Sequence, residues 1–167
     1  GLGLGLGLGW AAIMDRLFFR PMTAGDKDEV RALHEKWFPL RYADAFYDGA
    51  AKGEYAGKPV INCIATDVAG KTAGIIIISF MSANGCGEND LIVDKERYPR
   101  VAYIMTIGVC DAFRRRKVGS RLLRWGIERA ASDTSCGALF LHVITWNKAA
   151  MRFYARNEFR YVRSYPR

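Results

Sequence analysis

The segment from Tyr103 to Leu123 brings together residue types that can hold a pyrophosphate. A strand-like run reaches Val109, Asp111-Ala112-Phe113 follows, then Arg114-Arg115-Arg116-Lys117-Val118-Gly119-Ser120, then a helical pattern. Backbone N–H groups of such a loop and of the helix N-terminus form an anion cradle, and four successive cations reinforce it. Gly119 allows close backbone approach. On these residues alone, a solvated basic turn or a nuclear-localisation-like run stays open as the alternative. A second stretch, Ala65-Thr66-Asp67-Val68-Ala69-Gly70-Lys71-Thr72, nearly has the spacing of a phosphate-binding P-loop, with Ala for the first Gly. A P-loop needs a helix straight after its Lys-Thr. The strand-like run Ile75–Ile78 follows here, so a hairpin turn is expected. The chain has two histidines and four cysteines (Cys63, Cys86, Cys110, Cys136) with no C-x-x-C pair, so no metal is expected.

These residues need a scaffold, and 167 residues suffice for one domain. A fold of this length hides roughly 70% of its unfolded surface, so its core needs no staples. The cysteines are therefore read as reduced thiols in a cytosolic setting. Apolar residues make up 50% and charged residues 25%, which excludes a disordered or collagen-like chain. The longest apolar run, Gly74 to Met81, is far short of the ~20 residues that span a bilayer. The net charge of +8 is unevenly placed. Residues 1–111 carry 12 Lys/Arg and 14 Asp/Glu, a net −2, whereas residues 112–167 carry 13 and 3, a net +10. The C-terminal third thus calls for a polyanionic partner: a phosphorylated cofactor, nucleic acid or an acidic membrane surface.

Residues 1–13 form a low-complexity Gly-Leu extension, expected to be disordered because every second residue is glycine. Met14 is read as the start of the domain proper. Leu17–Met22 predicts a strand. Thr23 and Asp26 fit a capping box that opens a helix with Val30, Leu33 and Trp37 on one face, ended by Pro39. Ala43–Ala51 predicts a second helix. Val60–Val68 and Ala73–Ala83 predict a hairpin, and Arg100–Val109 a third long strand. Val118–Ala131 predicts a helix, Gly137–Ile144 a strand, Asn147–Arg156 a helix and Phe159–Tyr165 a last strand. The order β-α-α-β-β-β-α-β-α-β defines an α/β domain with a mixed sheet and helices on both faces.

Val101-Ala102-Tyr103-Ile104-Met105-Thr106-Ile107-Gly108-Val109, followed by Phe113 to Leu123, resembles motif A of the GNAT acetyltransferases. The family pattern there is Arg/Gln-x-x-Gly-x-Gly/Ala. Arg114 and Gly119 match its ends, and Lys117 replaces the middle glycine. Leu141-His142-Val143-Ile144, Asn147, Ala150, Phe153-Tyr154 and Phe159 resemble the corresponding segment of protein N-terminal acetyltransferases. Trp37-Phe38-Pro39-Leu40-Arg41-Tyr42 resembles the Phe-Pro-x-x-Tyr loop of NatE and NatF catalytic subunits, with the wording closer to NatF. The resemblance covers roughly residues 16–167.

It implies a GNAT fold over 14–167 that stops before the family's last strand, and acetyl transfer from acetyl-CoA to the N-terminal α-amine of a peptide that retains its initiator Met. Such an amine is substantially protonated at pH 7 and must lose a proton first. By the resemblance, Tyr103 and His142 take that proton, with imidazole suited to base work near neutrality. Tyr154 then serves the leaving thiolate and contacts the cofactor. Ile107, Gly108 and Val109 would pair with pantetheine through their backbone, helped by a bulge that splays the central strands. Arg114, Arg115, Arg116, Lys117, Val118, Gly119 and Ser120 would hold the pyrophosphate, and Asn147 the pantetheine side. Phe38, Pro39, Leu40, Arg41, Tyr42, Tyr103 and Met105 would bind the peptide. Arg41 stands where NatF enzymes tend to carry Glu, which predicts a preference for Met-Glu over Met-Lys peptides. The implied setting is a cytoplasmic monomer. Peripheral contact with the cytosolic face of the Golgi or another membrane is implied through C-terminal segments this sequence does not contain. The alternatives are a GNAT enzyme acting on lysine side chains or small amines, a CoA-binding pseudo-enzyme, and a nucleic-acid-binding domain. The last is set aside because no RRM, KH or helix-turn-helix signature is present.

Overall fold

A computed structural model describes residue 9 and residues 15–166 of the chain. Apart from Gly9, the Gly-Leu extension expected over 1–13 lies outside the described residues, as does Met14. The elements run β1 (Phe18–Arg20), α1 (Lys27–Trp37), α2 (Asp44–Lys52), β2 (Glu54–Tyr55), β3 (Lys58–Thr66), β4 (Thr72–Ser82), β5 (Arg100–Val109), α3 (Val118–Ser132), β6 (Cys136–Phe140) and α4 (Lys148–Arg156). The sheet order is β1-β3-β4-β5-β6, with β2 beside β3. All pairs are antiparallel except β5–β6, which α3 joins as a crossover. The expected mixed-sheet α/β fold is what forms.

The four consecutive isoleucines of β4 show why this strand lies in the middle. Ile75 and Ile77 pack with α1 and α2, through Val30, Phe46 and Tyr47. Ile76 and Ile78 pack with α3, through Val118, Leu122 and Leu123. Alternation sends neighbours to opposite faces, and only a sheet covered on both sides can bury such a run. The P-loop-like stretch is the β3–β4 turn: Asp67 Oδ1 accepts from the N–H groups of Ala69 (3.0 Å) and Lys71 (2.8 Å). Before α1, Thr23 N–H donates to Asp26 Oδ2 (2.8 Å), as the capping box requires, with one 3-10 turn over Ala24–Asp26 between.

Two strand expectations are corrected. Gly137–Ile144 shortens to Cys136–Phe140, because pairing with β5 ends at Tyr103 opposite Phe140. Phe159–Tyr165 forms no strand. A strand is held by its ladder, and no described residue pairs with this segment. Tyr161 stays 74% exposed, so its apolar content does not bury it as a core strand would.

The α1–α2 side also buries His34, which the apolar stripe did not include. It is 1% exposed, and neither ring nitrogen has a hydrogen-bond partner. The rings of Trp37, Phe38, Tyr42, Phe46 and Tyr47 surround it at 5.5–6.2 Å. Burial lowers its pKa from 6.5 to about 4. The unfolded chain therefore binds a proton on His34 that the folded chain refuses between pH 6.5 and 4. Stability falls as pH drops through that window, by at most about 3 kcal/mol. Thermal melts from pH 7 to pH 4.5 should show the fall, and His34→Phe should flatten it. Asp26, held at about 2 chiefly by its hydrogen bond from Arg20, acts below this window.

Candidate active site

Beyond Tyr103, β5 continues to Val109 with no partner on β6. The β4–β5 register also shifts between Ile77 and Ile78, which leaves Met105 as the extra residue of a bulge. The two parallel strands therefore splay, and Ile107, Gly108 and Val109 line a cleft of about 380 Å³ with Lys36, Trp37, Phe38, Asp111 and Arg114. Trp37 packs directly against Gly108: a Cβ there would meet its ring at 2.2 Å. This close approach brings the end of α1 to the cleft edge of β5.

The basic loop closes the cleft at the start of α3. Arg121 N–H is the donor to Lys117 O (3.0 Å), so the N–H groups before it have no intrahelical acceptor. Arg115 (φ 62°) and Lys117 (φ 59°) both adopt the left-handed conformation. Lys117 thus has the backbone that explains a glycine at the matching place of the family pattern. Arg114 pairs with Asp111 at 3.2 Å and Arg116 with Asp15 at 2.8 Å. The residues fit an anionic pyrophosphate: free N–H groups, a helix N-terminus and exposed cations.

Tyr103 and His142, separated by 39 residues, meet at the end of the β5–β6 pairing, with Tyr103 Oη 3.3 Å from His142 Nδ1. The other ring nitrogen, Nε2, lies 2.8 Å from Glu88 Oε1. The carboxylate fixes the tautomer with hydrogen on Nε2, leaving the Nδ1 lone pair towards Tyr103. Glu88 is buried (8% exposed), whereas the His142 ring is 52% exposed and reachable by water. Burial would push the Glu88 carboxyl up, but hydrogen bonds from Tyr165 and His142 bring it net below its ordinary value. Burial raises the Tyr103 hydroxyl, with Tyr42 and Glu88 adding to the effect. Tyr103 is therefore a protonated donor at neutral pH.

Sequence reasoning missed Glu88. It sits in the loop between β4 and β5, whose polar, glycine-rich composition carries no site pattern. Its place is set by Gly87 (φ 79°) and by Cys86, whose Sγ accepts from Glu88 N–H at 3.4 Å. The segment after α4 folds over the same place: Tyr165 donates to Glu88 Oε2, and Arg163 pairs with Asp90 at 3.3 Å.

Of the other expected residues, Asn147 caps α4, accepting from Ala150 N–H at 3.1 Å. Tyr154 packs between Phe153 and Phe159, and burial pushes its hydroxyl up to about 12. It can only donate. Phe38 reaches the cleft, Tyr42 stacks on Phe46 at 4.3 Å, and Leu40 is 68% exposed at the loop tip. Pro39 beside it is exposed, and Met105 packs towards α1 and α2. Arg41 forms an ion pair with Glu35 (3.1 Å), so its charge does not face the cleft alone.

A splayed parallel strand pair, a bulged β5 and an anion loop opening the next helix define the acetyltransferase class of α/β folds. The profile of the Acetyltransferase (GNAT) family matches residues 14–159, and the chain belongs to that family. It is similar to N-alpha-acetyltransferase 60 of Danio rerio, 29% identical over 153 residues, covering 88% of this chain and 61% of that protein. Histone acetyltransferase MCC1 of Arabidopsis thaliana is 28% identical over 151 residues, with the same 88% and 61% coverage. The chain thus spans 61% of the length of these curated relatives. The crystal structure of Arabidopsis thaliana NAA60 in complex with acetyl-CoA superimposes with a TM-score of 0.79 at 27% identity, over 89% of this chain and 86% of that one.

Proposed function

We propose that the domain transfers an acetyl group from acetyl-CoA to the α-amine of a protein N-terminus. The observation that carries this reading is the Tyr103–His142–Glu88 chain, placed where β5 and β6 separate. Bound acetyl-CoA supplies an activated acetyl thioester. The N–H groups and cations from Arg114 to Ser120 hold its phosphates. His142 Nδ1, directly or through a water ordered by the Tyr103 hydroxyl, accepts the proton of the incoming ammonium. Glu88 keeps the imidazole oriented and stabilises its charged form. Tyr154 is a proton or hydrogen-bond donor for the departing thiolate. Every group belongs to one chain, so a monomer suffices. Four free thiols suit a cytosolic location. Among the described residues no helix is long and apolar enough to cross a membrane. A second reading, transfer to lysine side chains, is favoured by the name of the histone-acetylating relative.

Acetyl transfer onto peptides starting Met-Leu, Met-Lys and Ser-Glu, beside free lysine, separates the readings. Phe38, Pro39, Leu40 and Tyr42 offer an apolar wall for a retained Met. A Ser-starting peptide should lose on the order of 1–3 kcal/mol in kcat/KM. Equal rates on Ser- and Met-starting peptides would remove the Met preference. Faster transfer to lysine would favour the second reading. The Arg41–Glu35 pair reduces the expected second-residue bias to well under tenfold, and Arg41→Glu should turn it towards Met-Lys.

A further inference from the structure

The anion loop accounts for Arg114 to Lys117 and leaves most of the basic third unused. Arg121, Arg124 and Arg129 are exposed on α3, Lys148, Arg152 and Arg156 on α4, and Arg160 just beyond it. Both helices belong to the same side of the sheet, since Phe153 and Tyr154 of α4 pack against the core cluster that holds Val118, Leu122 and Leu123 of α3. Among the described residues, the cations after position 111 form ion pairs only through Arg114, Arg116 and Arg163. Two carboxylates, Glu128 and Glu158, lie on this stretch beside Asp133, which Arg100 holds at 2.7 Å. The seven side chains therefore form a cationic face without internal compensation.

We propose that this α3–α4 face docks a single-stranded RNA backbone. Six of the seven cations are arginines, whose planar forks pair two oxygens of a phosphate at once. Arg121 lies over the Phe19 ring (4.9 Å) and Arg129 over Trp125 (5.5 Å), which orders their guanidinium planes before any ligand arrives. Lys148, Arg152 and Arg156 repeat every four residues, a row of charges about 6 Å apart along the helix. Tyr161 (74% exposed), just beyond α4, adds aromatic surface on which a base can stack. A membrane fits less well. Insertion needs a continuous apolar face, and the large apolar side chains these helices expose are Ile127 (40%) and Met151 (38%), each only partly.

The test is fluorescence anisotropy with a labelled 20-nucleotide poly(U), at saturating CoA so that the anion loop is filled. Binding through four phosphates weakens about 50-fold between 50 and 200 mM salt. Arg152→Glu/Arg156→Glu should cost at least tenfold, and Arg124→Glu/Arg160→Glu, on separate elements, should do the same. Both variants should keep the thermal shift with CoA and the rate of peptide acetylation, so this inference and the acetyltransferase reading fail separately. Absence of RNA binding at 50 mM salt overturns the proposal. So does unchanged binding by both folded variants, or binding to phosphatidylserine vesicles or polyglutamate without binding to RNA.

Discussion

Replacing His142 by alanine is expected to lower kcat by about 10²–10⁴-fold, the range for a positioned acid–base group. Stability and CoA affinity should stay near wild type, because the ring is half exposed and lies outside the anion loop. Tyr103→Phe should give a smaller loss: it removes the hydroxyl facing Nδ1 but leaves the base in place. Glu88→Gln separates orientation from chemistry. It keeps the size of the side chain but removes the charge that holds the Nε2–H tautomer, so kcat should fall by about tenfold or more while peptide KM changes little. The double variant His142→Ala/Glu88→Gln should be no slower than His142→Ala alone, since Glu88 acts through the imidazole. Stopped assays under saturating acetyl-CoA measure all four. Full turnover by His142→Ala would mean that the proton leaves by another route. A further loss in the double variant would mean that Glu88 acts on the substrate directly.

The second large effect is expected from one methyl group. In Gly108→Ala the new Cβ would sit 2.2 Å from the Trp37 ring and 2.5–2.8 Å from two further ring atoms. A rigid indole cannot yield by tenths of an ångström. It must rotate away, which disturbs the end of α1, or β5 must move. Overpacking of this kind costs roughly 1–3 kcal/mol, or several degrees in Tm for a domain of this size. The damage falls on the cleft itself, because Trp37 and Gly108 both line it. The thermal shift produced by millimolar CoA should shrink or vanish. Trp37→Leu in the Gly108→Ala background frees the space and should restore part of the lost Tm. A Gly108→Ala protein with wild-type Tm and CoA response would show that the indole does not pack on this strand.

Part of the site was legible because local pattern sets local structure. The β-rich apolar runs and the turn residues between them placed β3, β4 and β5 within one or two residues, and α3 starts where the Arg-rich run and the helical pattern after it predict. Asn147 opens the predicted helix Asn147–Arg156 and caps it in the fold. The resemblance to GNAT enzymes joined Tyr103 to His142 across 39 residues, and the structure brings them to 3.3 Å. Lys117 shows where a pattern is satisfied by conformation: a lysine takes the left-handed backbone that a glycine would occupy more easily.

Other features were decided by tertiary contacts. Nothing near Glu88 marks it as a partner of His142, 54 residues away, because its role depends on burial and on a loop with no periodic pattern. The apolar character of Leu141–Ile144 and Phe159–Tyr165 suggested strands, but β propensity gives only a segment that suits a ladder. Whether a ladder forms depends on a neighbour, and β5 turns away from the first segment while no described strand reaches the second. His34 was invisible for the same reason: a histidine on a helix reads as polar until five rings close around it. The sequence by itself determined the order of the long strands and helices through α4, the basic loop before α3 and the charge of the C-terminal third, since these follow from neighbours along the chain. Only the tertiary structure decided which carboxylate meets His142, where the strands part and which glycine carries the tryptophan. Those depend on residues far apart in sequence meeting at distances that no local pattern encodes.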